Sequence, residues 1–168
     1  MKKAYARLVF STLIILIFGC QRSYFKNDLP QILGVEKVDV ERVSSKDEFG
    51  GFGEGYTLEK YKLSKVTIDE FQEGRSKLLP VKEGGWKRYG WSKAPIDSSF
   101  KEVIYMPLSY YDGNKKLEIV LQQVKKSLEL ADVYYAFYYK SDRLNPRSVQ
   151  LFVVDIKSRE LYAIDIAI

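Results

Sequence analysis

Lys115-Lys116-Leu117-Glu118-Ile119-Val120-Leu121-Gln122-Gln123-Val124-Lys125-Lys126-Ser127-Leu128-Glu129-Leu130 is the stretch on which the fold turns. Leu117, Val120, Leu121, Val124 and Leu128 recur at i, i+3, i+4, i+7 and i+11, a single apolar stripe at helical period. Glu118, Gln122, Lys125, Lys126 and Glu129 fill the other face. A helix so divided must bury its stripe against another layer. Three strand-like runs follow it, at 133–139, 148–156 and 160–168. The first is dense in Tyr and Phe, residue types that suit a pleated, half-buried surface. Arg143-Leu144-Asn145-Pro146-Arg147 joins it to the second, and Lys157-Ser158-Arg159 turns the second into the third. Strands on such short connections predict an antiparallel meander with the 115–130 helix laid across one face, which is an α+β fold.

Outward from this unit the pattern becomes shorter-ranged. Val103 to Met106 reads as a short strand ahead of Pro107, and Asp112-Gly113 as a turn. Pro80, Gly84, Gly85, Gly90 and Pro95 punctuate an irregular stretch that carries Trp86, Tyr89 and Trp91. Thr67-Ile68-Asp69-Glu70 has capping-box spacing and predicts a short helix running to Gly74. Val35, Val38, Val40 and Val43 mark a first strand, and 54–64 a second, in which Tyr56, Leu58 and Lys60 face one way and Thr57, Glu59, Tyr61 and Leu63 the other. The turn-rich residues 44–55 between them complete an N-terminal hairpin.

The beginning of the chain carries an address. Lys2, Lys3 and Arg7 precede an apolar run, 8–18, broken only by Ser11 and Thr12. A basic segment before so short an apolar one is the pattern of a secretory signal, too brief to span a bilayer. The run ends Ile17-Phe18-Gly19-Cys20 and resembles bacterial lipoprotein signal peptidase sites, with an aliphatic residue, a small residue and then the cysteine. That resemblance implies cleavage between Gly19 and Cys20, and covalent diacylglycerol and acyl lipid on Cys20 in place of any bound cofactor. Residues 1–19 are then the signal peptide, 20–34 a lipidated N-terminus and tether, and 35–168 a single globular domain. Two or three acyl chains retain a protein at a membrane where one does so only marginally. The implied location is the bacterial cell envelope. In a cell with two membranes, Gln21 rather than Asp after the cysteine resembles lipoproteins sorted to the periplasmic side of the outer membrane.

Removal of 1–19 takes the formal charge from +5 to +2, because that segment holds three cations and no acid. The basic balance is thus partly a targeting feature and gives no nucleic-acid footprint. The chain has no histidine, and its one cysteine is assigned to lipid. Cys/His metal centres and His-dependent nucleophilic machinery are therefore ruled out, and no catalytic residue is marked. Gly50-Gly51-Phe52-Gly53-Glu54-Gly55 matches no phosphate-binding loop, since a strand follows it, and reads as turn or bulge glycines. Asp155 and Asp165 interrupt apolar strands, but a turn centred on Ser158 sets them about 13 Å apart along the ladder, too far for a carboxylate pair. Trp86, Arg88, Tyr89 and Trp91 suggest an aromatic and basic contact surface, of the composition that stacks on sugars or anchors proteins. Core lids on the sheet are the other reading of the two Trp residues.

Asp47-Glu48-Phe49-Gly50-Gly51-Phe52-Gly53-Glu54-Gly55, with Leu63-Ser64 after it and Leu161-Tyr162 near the end, resembles a D-x-x-G-G-F-x-G-x-G-like run in small bacterial proteins of no assigned activity. The resemblance implies no function. The expectation is a membrane-anchored, non-catalytic domain that binds a protein or cell-wall glycan, an inhibitor or immunity role against a secreted toxin among the options. The alternative is a carboxylate-dependent hydrolase of envelope polymers, which requires two acids about 5 to 9.5 Å apart.

Overall fold

A computed structural model describes residues 23–49, 55–74, 78–110 and 113–168. The signal segment, Gly19, Cys20 and most of the 50–55 glycine run lie outside the described residues. At the centre is a six-stranded antiparallel sheet in the order β1-β2-β6-β5-β4-β3. Its strands are β1 (Val40–Phe49), β2 (Gly55–Leu63), β3 (Lys87–Lys93), β4 (Val133–Ser141), β5 (Pro146–Asp155) and β6 (Glu160–Ala167). The fold is α+β: β4, β5 and β6 form the meander, β1 and β2 the hairpin, and β2 joins the two by pairing with β6.

β5 explains the layering. Val149-Gln150-Leu151-Phe152-Val153-Val154 is buried at every position, which a strand achieves only when both sheet faces are covered. On one face Val149, Leu151 and Val153 meet two helices, α3 (Lys101–Leu108) and α4 (Lys115–Ser127) (α1, Leu29–Leu33, and α2, Lys65–Glu73, earlier in the chain, belong to the other face). α4 is the helix read from its stripe: Leu117, Leu121, Val124 and Leu128 are buried. The Asn114 side chain caps it by accepting from the N–H groups of Lys116 and Leu117. α3 corrects the strand read at Val103–Met106. Asp97 accepts from the Ser99 N–H, opening a 3₁₀ turn at Ser98–Phe100 that runs into α3, and Ile104 and Leu108 then share one buried face at i, i+4.

On the opposite face Phe152, Val154, Leu161 and Ala163 meet α1 (Leu29–Leu33) and α2 (Lys65–Glu73). Residues 23–34, read above as tether, are therefore part of the body: Phe25, Leu29, Ile32 and Leu33 are all buried. Gly34, at φ +67°, ends α1 and sends its N–H to the Pro30 carbonyl. α2 begins earlier than its predicted cap. Ser64 holds the cap position and accepts from the Thr67 N–H, while the Thr67 hydroxyl accepts from the Asp39 N–H.

β3 was not legible as a strand. It carries a bulge, since Tyr89 pairs with Phe137 but Ser92 with Tyr135, which leaves one extra residue on β3. Gly90 and Trp91 sit at the bulge, and the side-chain alternation reverses there.

Candidate functional site

The bulge decides the fate of the aromatic surface expected from the sequence. Tyr89 points to the α3/α4 face, stacked on Phe137 with centroids 4.9 Å apart. Trp91 points to the other face and is 5% exposed, its Nε1–H donating to the Ile32 carbonyl at 2.7 Å. Arg88 donates to the Leu79 carbonyl at 2.6 Å. Trp86 stays half-buried at the rim. The four residues thus do not share a surface, and Trp91 is a core side chain.

A different group of residues converges. On the α1/α2 face, the register lines up Thr57 of β2, Asp165 of β6, Gln150 of β5, Tyr138 of β4 and Arg88 of β3 in one transverse row. This polar row borders the apolar half of that face. Over it lies a cleft of about 430 Å³, walled by Tyr24, Asp28 and Gln31 of the N-terminal segment, by Pro80, Val81 and Lys82, and floored by Tyr138 and Gln150. The 80–82 strap is held down by the Tyr138 hydroxyl, which donates to the Pro80 carbonyl at 2.8 Å.

Lys82 brings a cation into this cleft. Its Nζ donates to Gln150 Oε1 at 2.6 Å and lies 4.6 Å from the Trp86 ring centroid. Lys140 approaches the same ring at 4.9 Å. Burial lowers the Lys82 pKa, against the opposing pull of Asp165 and Asp28. Asp165 behaves inversely: burial raises its pKa, although Gln150 and the Tyr24 hydroxyl donate to it. Burial, with Asp165 beside it, pushes the Tyr24 hydroxyl up to about 12.

The other wall is fastened by Glu59, which is fully buried on β2. It accepts from Ser23 Oγ at 2.9 Å, from the N–H groups of Tyr24 at 3.1 Å and Phe25 at 3.0 Å, and from Arg42 at 3.2 Å. The Tyr61 hydroxyl is a fifth donor. Burial opposes the charged form, but Tyr61, Phe25, Ser23 and Tyr24 outweigh it and leave the carboxyl below its ordinary value. Glu59 is thus the anchor that fixes the N-terminal segment as one lip of the cleft.

Asp155 lies elsewhere, accepting from the Ser158 N–H at 3.0 Å in the β5–β6 turn. The pairing register is shifted by one residue from the one a turn centred on Ser158 gives, so Asp165 faces Gln150, five positions along β5 from Asp155, roughly 17 Å at strand rise. The separation of the two acids along the ladder assigns Asp165 no role from the sequence. The available signal was its place on the stripe shared with Leu161 and Ala163.

Asp165 gives a test of the site. With a folded pKa above the unfolded value, its contribution to stability is complete below the unfolded pKa and is lost as pH rises through the folded one. Asp165→Asn keeps the shape without the partly desolvated charge. The variant is expected to melt above the wild type at pH 7, with the gain disappearing near pH 4. An equal gain at both pH values in thermal unfolding would contradict a desolvated carboxylate here.

Comparison with known proteins finds no matching family model, curated protein or solved structure.

Proposed function

We propose that the protein is an exported lipoprotein of the bacterial cell envelope whose domain binds a partner at the cleft over Gln150 and performs no chemistry of its own. One observation carries the proposal. Lys82 is a half-buried ammonium with no carboxylate in ion-pair contact among the described residues, and it stands at a cleft beside the half-buried acid Asp165. Desolvated charges of opposite sign cost stability, and such arrangements concentrate where a ligand completes them. An envelope protein or glycan that offers an acceptor to Lys82 and an apolar face to Trp86 meets both demands; inhibition of a secreted toxin is one form such a role takes.

Lipid on Cys20 supplies the membrane attachment in this reading. Among the described residues no helix is long and apolar enough to cross a membrane. The binding role is tested by cross-linking the lipidated protein in intact envelopes. Wild type is expected to capture a specific partner that Lys82→Ala and Trp86→Ala both lose. Capture of the same species by all three, or of none by wild type, would sink the proposal.

A carboxylate-dependent hydrolase is the second reading, favoured by one feature. Asp165 faces Thr57, two residues from Glu59 on the same sheet face, and the two acids are driven in opposite directions, as in acid–base pairs. Against it, five donors already occupy Glu59 beneath the N-terminal segment.

A further inference from the structure

We infer that the anchored domain does not hang from its lipid but is seated on the membrane, with the Tyr24–Lys26 rim against the phospholipid headgroups and the cleft opening at their level. This rests on the reading of Cys20 as the lipidated residue and adds to it where the domain must lie.

The reach of the chain between lipid and core sets this placement. Only Gln21 and Arg22 separate Cys20 from Ser23. Three residue steps span at most about 11 Å even when fully extended. Ser23 is not free to lengthen that leash, because its hydroxyl and the next two N–H groups are all committed to the buried Glu59 carboxylate. Phe25 follows at once into the core, edge-on to Phe152 with centroids 5.5 Å apart. A domain with layers on both sides of a sheet, each about 10 Å thick, is larger than this reach. The lipid therefore holds the Ser23 side of the molecule at the bilayer surface, and α4, on the opposite face, lies away from it.

The surface that results is chemically suited to headgroups. Tyr24 is 49% exposed and Val81 79% exposed, and both line the cleft mouth. Tyr is a side chain of the membrane–water interface, with an apolar ring and a polar tip. Lys26 is exposed beside it, and Lys82 and Lys140 stand further in, offering cations to phosphate; Asp28 is the acid in the cleft lining. A partner that enters this cleft is accordingly one that itself lies at the membrane surface.

The test uses the full chain, processed in cells and reconstituted into vesicles of phosphatidylethanolamine and phosphatidylglycerol carrying nitroxide on the headgroup. Lys26→Cys and Gln122→Cys each add one exposed thiol, the second on the outer face of α4. After reaction with a thiol-specific fluorophore, one dye per chain is expected, because a lipidated Cys20 is blocked. Quenching is expected to be several-fold stronger at position 26 than at 122. One dye per chain with equal quenching at the two positions would leave the lipid in place and overturn the seating. Two dyes per chain would show Cys20 free and overturn both.

Discussion

Glu59→Gln is expected to destabilise the domain by about 3 kcal/mol and to release residues 23–33 from the sheet. Five donors converge on this carboxylate, three of them on consecutive residues of the N-terminal segment. Hydrogen bonds to a charged acceptor are worth about 1.5–3 kcal/mol each, and breaking a buried ion pair costs about 3–5 kcal/mol. Gln removes the charge and turns an NH₂ group toward donors, so the loss is larger than that of one neutral bond. The pH dependence fixes the sign. The folded pKa of Glu59 is below the unfolded value, so its contribution is present above the unfolded pKa and is lost as pH falls through the folded one. The difference between variant and wild type should therefore narrow in acid. Denaturant unfolding at pH 7 and pH 3, with amide exchange at Tyr24 and Phe25, checks both parts. Fast exchange at these amides in the wild type would show that the clamp does not exist.

Trp91→Ala should cost about 3–5 kcal/mol, the range for emptying a large aromatic site in a core. The ring fills the space between α1, α2 and the sheet, edge-on to Phe71 with centroids 4.9 Å apart, and its loss leaves the buried Ile32 carbonyl without a donor. Against a total stability of about 5–15 kcal/mol this is a large fraction. Trp86→Ala, at the half-buried rim among lysines, is expected to cost only about 1 kcal/mol. Equal losses in the two variants, measured by chemical denaturation, would contradict the opposite placements given to these residues.

The same pair shows what the sequence made legible. α4 and the meander could be read because each is long enough for its period to repeat, and their caps and turns are local. β3 could not. Its bulge sends Tyr89 and Trp91 to opposite faces although their spacing implies one, so the pattern that suggested a shared aromatic surface misled. At 101–108, Val103-Ile104-Tyr105 has strand propensity, but the turn begun by Asp97 and the burial of Ile104 and Leu108 against the sheet set a helix instead. Ser23–Leu33 read as tether for a related reason. A segment this short shows no period, and its partner Glu59 is more than thirty residues away in sequence. Glu59 itself was visible as an acid on the stripe of Thr57, Tyr61 and Leu63, and Asp165 likewise beside Leu161 and Ala163. An acid on a core-facing stripe is either paired or functional. Here one is the clamp and the other lies at the cleft, a division set by donors that come from distant parts of the chain.

Both the envelope role and the seating on the bilayer begin with chemistry at one thiol. Intact mass of the protein purified from bacterial membranes examines that chemistry directly. The account requires a chain that starts at Cys20 and carries diacylglycerol and acyl groups there. A product that retains Met1, or one that starts at an unmodified Cys20, would contradict it.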